Sequence, residues 1–139
     1  MPIIRETLDN GYSVRISPKG TSMLPMLRQG RDTVLLSPLP NKLKKYDLPL
    51  YQRSNGQYVL HRVVKVGNTY TCIGDNQYET EPGLKDAQMI ALVTEFYRDG
   101  KRYSVNDFGY RIYCRYWYYS RPLRLFFQHL RGGLRRLLG

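Results

Sequence analysis

The sequence is poor in cysteine, poor in acidic residues and without a long apolar run. Its two cysteines, Cys72 and Cys114, are widely separated, which suits reduced thiols in a cytosolic setting at least as well as one disulfide. A scaffold stapled by many disulfides is therefore excluded. Residues 1–9 include acidic side chains and no long apolar run, so we expect neither a signal peptide nor a membrane anchor there.

The charge is unevenly distributed along the 139 residues. Lysine and arginine number 22 against 11 acidic residues, a net charge of +11, and much of the excess lies beyond Asp107. An apolar content of 42%, with 13% aromatic residues, is enough to build the core of one domain. We therefore predict a β-domain over residues 1–106 and an aromatic, arginine-rich helical extension over residues 107–139.

The central sequence is typical of an all-β domain, because short runs rich in Val, Ile, Thr and Tyr alternate with Gly, Pro and Asn. These runs predict strands over 12–17, 32–37, 48–53, 58–66, 69–74, 89–97 and 101–105. Hairpin turns are predicted at Ser54-Asn55-Gly56, Gly67-Asn68 and Asp99-Gly100. Residues 38–45 predict an exposed basic loop.

One stretch, Lys19-Gly20-Thr21-Ser22-Met23-Leu24-Pro25, follows the first strand and presents a serine. Gly20 tolerates positive φ and Pro25 fixes φ, so we expect Ser22 to lie on a tight turn. A serine in this setting is most often only a turn former that hydrogen-bonds its own backbone. It becomes a candidate nucleophile only if a base can reach its proton.

His61 is the candidate base. It lies within the β-branched run 58–66, which predicts a position in the middle of a strand, whereas the second histidine, His129, lies far along the chain. The lysines of the 38–45 loop lie among Pro and Asn, where no apolar pocket would lower a lysine pKa. With the ordinary histidine pKa near 6.5, activity would rise with pH between roughly 6 and 7.

Four short motifs occur in a fixed order: Gly20-x-Ser22-Met23-x-Pro25, Asp32-x-Val34-x-Leu36, His61-Arg62-Val63-Val64 and Gly74-Asp75-Asn76. Together they resemble the type I signal peptidase superfamily over roughly residues 12 to 97. The bacterial enzymes and the self-cleaving SOS repressors have a lysine where this chain has His61. The His-Arg-Val form is instead similar to the endoplasmic-reticulum and sporulation-type signal peptidases, which use Ser and His with an acidic residue.

The resemblance implies a mainly β, signal-peptidase-like fold, a β-ribbon or partly open barrel, and a serine endopeptidase. Ser22 would be the nucleophile and His61 the general base, and the substrate would be a peptide or preprotein that loses a leader or signal segment. A self-cleaving regulatory peptidase is an alternative, against which stand the histidine in place of lysine and the absence of a DNA-binding domain. A catalytically inactive, membrane-bound binding module with the same fold is another.

The third catalytic group is open between two carboxylates. The ungapped match places Glu81 where the resembled enzymes have their acid, and Asp75 belongs to the Gly74-Asp75-Asn76 motif itself. Either could hold the imidazole tautomer. The motif is equally typical of a hairpin turn, in which backbone N–H groups would occupy the Asp75 carboxylate. We therefore expect Glu81, on a loop, to face His61.

The oxyanion-binding group differs from the family pattern. The resembled enzymes often have a Ser-Gly pair before the nucleophile, whereas this chain has Gly20-Thr21. The resemblance thus implies that oxyanion and substrate binding use the backbone around Gly20, Thr21 and Met23, with help from the Thr21 hydroxyl. No cofactor and no metal site is predicted.

The C-terminal segment predicts a basic amphipathic helix that begins at Ser120, with Pro122 in its first turn. One face carries Leu123, Phe126, Phe127, Leu130, Leu134, Leu137 and Leu138, and the other carries Arg121, Arg124, Arg131 and Arg135. With the preceding tyrosines, residues 110–138 favour the surface of an anionic membrane, and the arginines prevent a span.

We therefore expect peripheral membrane association, with the side of the membrane left open and a cytoplasmic location as the alternative. A helix packed on the β-domain or on a partner protein is the competing interpretation. Nucleic-acid binding is not expected, because no recognised DNA- or RNA-binding fold accompanies the arginines.

Overall fold

The fold is known from a computed structural model that describes residues 2–20, 22–77 and 79–138, without the side chains of 2–5, 129 and 133–138. In chain order its elements are α1 (Pro2–Asp9), β1 (Val14–Ile16), β2 (Thr33–Ser37), β3 (Pro49–Gln52), β4 (Tyr58–Leu60), β5 (Arg62–Val66), β6 (Tyr70–Ile73), β7 (Glu81–Leu84), a 3₁₀ turn (Asp86–Gln88), β8 (Met89–Arg98), β9 (Lys101–Ser104), α2 (Phe108–Tyr119) and α3 (Arg121–Leu138). The predicted all-β centre is confirmed.

The strands form two open antiparallel sheets. The larger has the order β1-β2-β8-β3-β4, with β9 added on β8, and the smaller has the order β5-β6-β7. In this order, β1 and β4 are the two ends of the larger sheet. The hairpin turn at Ser54-Asn55-Gly56 is confirmed by the Gly56 N–H to Arg53 carbonyl bond at 2.9 Å.

The strand predicted over 58–66 is in fact two strands in different sheets. Tyr58–Leu60 pairs with β3, and Arg62–Val66 pairs with β6. His61 is the single residue between them, so it lies at the corner where the chain passes from one sheet to the other and not in the middle of a strand. A continuous β-branched run carries no signal for this change of partner.

The main core lies against the larger sheet. Strand β2 alternates buried and half-buried residues, which places Val34 and Leu36 inside. Met23, Met26 and Leu27, from the turn that carries Ser22, pack into the same cluster. Full burial of each such side chain contributes roughly 1.5–3 kcal/mol, so the core itself fixes this turn.

Helix α2 packs on the β-domain through its aromatic side chains. The Tyr110 ring lies 5.2 Å from the Phe96 ring of β8, and Tyr113 also packs against the main core. Cys114 is buried on the same side, and both cysteines are free thiols. The helical extension predicted over residues 107–139 thus consists of two helices, and α2 is its aromatic part, whose helix boundaries the sequence does not predict.

Helix α3 begins at Arg121, beside the predicted start, but Ser120 does not cap it in the predicted way. Ser120 has helical dihedrals, and its hydroxyl donates to the Trp117 carbonyl at 3.3 Å. The Arg124 guanidinium lies 3.6 Å from the centre of the Trp117 ring. Within the described part of the chain, no helix is both long enough and apolar enough to cross a bilayer.

Candidate active site

Ser22 lies in the turn that follows β1, as predicted. Gly20 has φ of +81°, the left-handed conformation expected of it. Met23 is buried, its carbonyl accepts the Leu27 N–H at 3.0 Å, and its sulfur accepts the Asp75 N–H at 3.4 Å. Thr21, predicted to help at the oxyanion, lies outside the described residues. The turn is therefore anchored on its C-terminal side.

Asp32, from the second motif, closes this turn onto β2. Its fully buried carboxylate accepts from the Arg28 backbone N–H at 2.8 Å and from Arg28 Nε at 2.9 Å. The hydrogen bonds from Arg28 hold the pKa of Asp32 below its ordinary value, although burial opposes this. Asp32 is thus a structural residue that ties the end of the Ser22 turn to the sheet.

Gly74 supports the backbone of Ser22 directly. The Asn76 N–H donates to the Ser22 carbonyl at 2.8 Å, and a Cβ on Gly74 would lie 2.5 Å from that oxygen and 3.1 Å from Ser22 Cβ. No side chain fits at position 74 without moving Ser22. The glycine of the Gly74-Asp75-Asn76 motif therefore holds the candidate nucleophile in place.

Ser22 and His61 line one cavity of about 400 Å³. The segment after β1, including Gly20 and Met23, forms one wall, and strand β4 forms another. The lining includes the apolar residues Ile16, Leu27, Leu50, Val59 and Leu60 and the polar residues Arg53, Gln57 and Gln77. Among the described residues no hydrogen bond joins Ser22 to His61. Catalytic hydrogen bonds often tighten only when substrate is present.

His61 is 4% exposed, and its Nδ1 lies 3.3 Å from the Tyr51 hydroxyl. Burial, with a smaller contribution from the nearby Arg53 charge, lowers its pKa to about 4, although Glu81 and Asp75 oppose the shift. The imidazole is therefore neutral at pH 7 and able to accept a proton. The pKa of His61 thus lies below the ordinary value near 6.5 that was assumed from the sequence.

Glu81 reaches His61 through an intermediate residue. It is the first residue of β7, where it pairs with Cys72, and does not lie on a loop as predicted. Its Oε1 accepts from the Tyr51 hydroxyl at 2.7 Å, and its Oε2 accepts from Arg53 Nε at 3.0 Å. Burial raises the pKa of Glu81, but these hydrogen bonds more than offset it and hold the pKa below its ordinary value.

Tyr51 was missed because it is one of 13 tyrosines in the sequence. It is fully buried in β3, and a buried tyrosine hydroxyl needs a polar partner. That rule predicts that a buried tyrosine hydrogen-bonds a polar group, but it does not identify Glu81 or His61 as the partner of Tyr51.

Asp75 makes different contacts from those predicted. Arg62 donates to both of its carboxylate oxygens, at 2.8 and 2.9 Å, and Tyr113 donates to Oδ2 at 2.7 Å. Its carboxylate is thus occupied by a guanidinium and a phenol from α2, not by backbone N–H groups. In the part of the chain that the structure covers, Asp75 makes no hydrogen bond to His61.

Arg62 completes this buried cluster. Besides Asp75, it donates to the Tyr110 hydroxyl at 2.7 Å and to the Cys114 sulfur at 3.0 Å. Burial disfavours its charge, but Asp75 more than offsets that penalty, so the pKa of Arg62 lies well above its ordinary value. The ion pair therefore joins the corner beside His61 to helix α2.

The residues present do not form a metal site: over the described ranges, no three His, Cys, Asp or Glu side chains are grouped so that they could hold an ion. No protein-family model, curated protein or solved structure matches the chain. The geometry of the site and the sequence motifs are therefore the basis for a function.

Proposed function

We propose that this protein is a serine endopeptidase with a signal-peptidase-like fold, in which Ser22 is the nucleophile and His61 the general base. The observation that carries the proposal is that two residues from separate elements, a buried neutral histidine and a serine on a fixed turn, line the same cavity. Gly74 supports it further, because this position is shaped to hold the Ser22 backbone.

The proton transfers and bond changes use only the side chains of Ser22 and His61, the substrate and water. Ser22 Oγ adds to the carbonyl carbon of the scissile bond while its proton passes to His61 Nε2. The C–N bond then breaks, and the departing amine takes the proton from His61. Water, deprotonated by His61, hydrolyses the acyl ester and restores Ser22. Backbone N–H groups of the Gly20 to Met23 turn are the proposed donors to the oxyanion.

The substrate is proposed to be an extended peptide, the leader or signal segment of a preprotein. Strands β1 and β4 are the two ends of the larger sheet, and both border the cavity that holds Ser22. An extended chain can pair with such an edge through its backbone, while pockets select its side chains. The apolar lining, from Ile16, Leu50 and Leu60, suits small apolar side chains near the cleaved bond.

A fluorophosphonate probe, which reacts with activated serines, tests the nucleophile. We expect mass spectrometry to find the label on Ser22, no label in Ser22→Ala, and labelling at least about 10³-fold slower in His61→Ala. Ser37→Ala, which removes a serine of β2, is the matched control and should label normally. Undiminished labelling of Ser22→Ala would contradict the proposal. If the wild-type protein is folded but is not labelled at Ser22, the inactive binding module is favoured.

We also propose that the C-terminal helices hold the enzyme at an anionic membrane surface. Tyr116 and Tyr119 of α2 are 66% and 68% exposed, and α3 exposes Phe126 and Phe127 by 60% and 51%. Seven arginines and no acidic residue accompany these side chains after Asp107. Such aromatic and cationic side chains suit the headgroup region of an anionic bilayer.

Sedimentation with vesicles tests this second proposal. Binding should be stronger to phosphatidylglycerol vesicles than to phosphatidylcholine vesicles and should weaken with salt. Replacing Phe126 and Phe127 together by serine should reduce binding, whereas Tyr12→Ser, at an equally exposed tyrosine near the N-terminus, should not. Equal binding by the double variant would contradict the assignment to these helices.

A further inference from the structure

A chain of three polar side chains leads from the edge of the cavity to the far side of His61. Arg53 donates to Glu81, Tyr51 donates to Glu81 at 2.7 Å, and the Tyr51 oxygen lies 3.3 Å from His61 Nδ1. We propose that Tyr51 is a positioning residue that holds His61 in the tautomer with the proton on Nδ1. The inference rests on the proposed role of His61 as the base for Ser22.

The number of available protons determines the direction of each hydrogen bond. Glu81 is ionised and can only accept, and Arg53 can only donate. The single proton of the Tyr51 hydroxyl therefore points to Glu81, which leaves the lone pairs of the Tyr51 oxygen for His61. Burial and Glu81 raise the pKa of Tyr51, so this proton stays on the phenol.

The consequence falls on the opposite nitrogen of His61. An oxygen that offers only lone pairs needs a donor, so Nδ1 must carry the hydrogen. A neutral imidazole has one N–H, and Nε2 therefore keeps its lone pair. A free lone pair at Nε2 is what the base needs in order to take the proton of a serine. Tyr51 thus performs for His61 the orienting task that a directly bonded carboxylate performs in other triads.

Burial makes the arrangement specific. Tyr51 is fully buried and His61 is 4% exposed, so water has little access to replace the phenol oxygen. Apart from the main core, a second cluster of buried side chains contains the Tyr51 ring together with Val63, Tyr70 and Cys72, and this packing fixes where the Tyr51 hydroxyl lies. The geometry is therefore set by the core, and Glu81 sets the direction of the proton.

Nitrogen NMR of the free protein tests the tautomer without any substrate. In a His129→Gln background only His61 remains, and correlations from its ring carbon protons identify which nitrogen is protonated at pH 7. We expect the proton on Nδ1, and a shift toward Nε2 in Tyr51→Phe. Tyr70→Phe is the control, because Tyr70 is buried in the same cluster and its hydroxyl accepts instead from the Leu43 N–H.

Kinetics tests the consequence for catalysis. Tyr51→Phe should lower kcat about 10- to 100-fold with KM nearly unchanged, since the phenol touches no substrate. Tyr70→Phe should lose less than about 3-fold, because its hydroxyl accepts from the Leu43 N–H and it is Tyr51 whose hydroxyl lies against His61. A proton on Nε2 in the wild-type protein would overturn the proposal, as would an unchanged tautomer in Tyr51→Phe. If the tautomer behaves as expected but no peptide is cleaved, the proposed peptidase function fails and the positioning role stands.

Discussion

Two arginine–carboxylate pairs flank His61, and they differ most in their exposure to water. The side chains of Arg53 and Glu81 are each 30% exposed at the edge of the cavity, whereas those of Arg62 and Asp75 are 3% and 2% exposed. A pair that water can reach contributes little to stability. A buried pair cannot lose one partner without leaving a charge in the core. The two ion pairs therefore have different roles, although each joins an arginine to a carboxylate.

The partners of the two pairs show the same division. Glu81 binds Tyr51, which lies against His61, while Asp75 binds Tyr113 of α2. Arg62 adds Tyr110 and Cys114 of the same helix. The exposed pair, Arg53 and Glu81, thus contacts the His61 imidazole through Tyr51. The buried pair, Arg62 and Asp75, joins helix α2 to the sheets.

The largest expected effect is on stability, from Asp75→Asn. The Arg62 charge would remain buried without its counter-charge, which costs about 3–5 kcal/mol of unfolding free energy. Urea denaturation followed by circular dichroism measures this loss. Asp99→Asn is the matched control, because Asp99 pairs with Arg28 at the surface with 66% exposure. A loss for Asp75→Asn no greater than that for Asp99→Asn would remove the distinction between the two pairs.

Glu81→Gln should act mainly on turnover. A glutamine amide can donate as well as accept, so the Tyr51 proton is free to turn toward His61 and Nε2 becomes protonated. We expect kcat to fall about 10²-fold, with the free energy of unfolding changed by less than about 1 kcal/mol. Equal losses of kcat from Glu81→Gln and from folded Asp75→Asn would mean that the two carboxylates act together.

Gly74→Ala should have a smaller effect at the nucleophile itself. The new methyl group would overlap the Ser22 carbonyl, and relief requires a shift of the Ser22 turn. We expect a loss of about 1–3 kcal/mol in stability from the overlap. Labelling by the fluorophosphonate probe should slow about 10-fold or more, because displaced nucleophiles react poorly.

Gly67→Ala controls for the Gly74 substitution. A Cβ at position 67 would find its nearest neighbour, the Thr69 carbonyl, at an ordinary 3.8 Å. Labelling at the wild-type rate is expected there. If Gly74→Ala also labelled at the wild-type rate, Gly74 would have no part in holding Ser22.

Much of the fold could be predicted because its signals are local. β2 alternates inward and outward residues, the run after Met89 is apolar and β-branched, and Gly20 supplies the positive φ that its turn needs. Each of these depends on a few consecutive residues. The four ordered motifs likewise pointed to Ser22 and His61, which the fold brings to one cavity.

The rest depends on contacts between distant residues. The corner at His61 arises because β4 and β5 choose different partners, and Asp75 is occupied by Arg62 and by Tyr113, 38 residues away along the chain. Tyr51 lies 30 residues from Glu81. The spacing of residues in the sequence does not predict such pairings, so only the fold identifies the residues that bind the carboxylates of Glu81 and Asp75.

The last and smallest effect, absent at neutral pH, is on the pH dependence of kcat/KM. Because burial lowers the pKa of His61 to about 4, activity should reach half its plateau near pH 4 and be flat from about pH 6 to 8. Arg53→Gln removes a charge that lowers this pKa, so its profile should move to higher pH. Between pH 6.5 and 4 the unfolded histidine binds a proton that the folded one does not, so stability falls as the pH is lowered through this range, and circular dichroism at each pH must confirm folding. A midpoint near 6.5 in the folded wild-type protein would show that His61 is solvated, and a profile of Arg53→Gln moved to lower pH would exclude the influence of the exposed pair on the base.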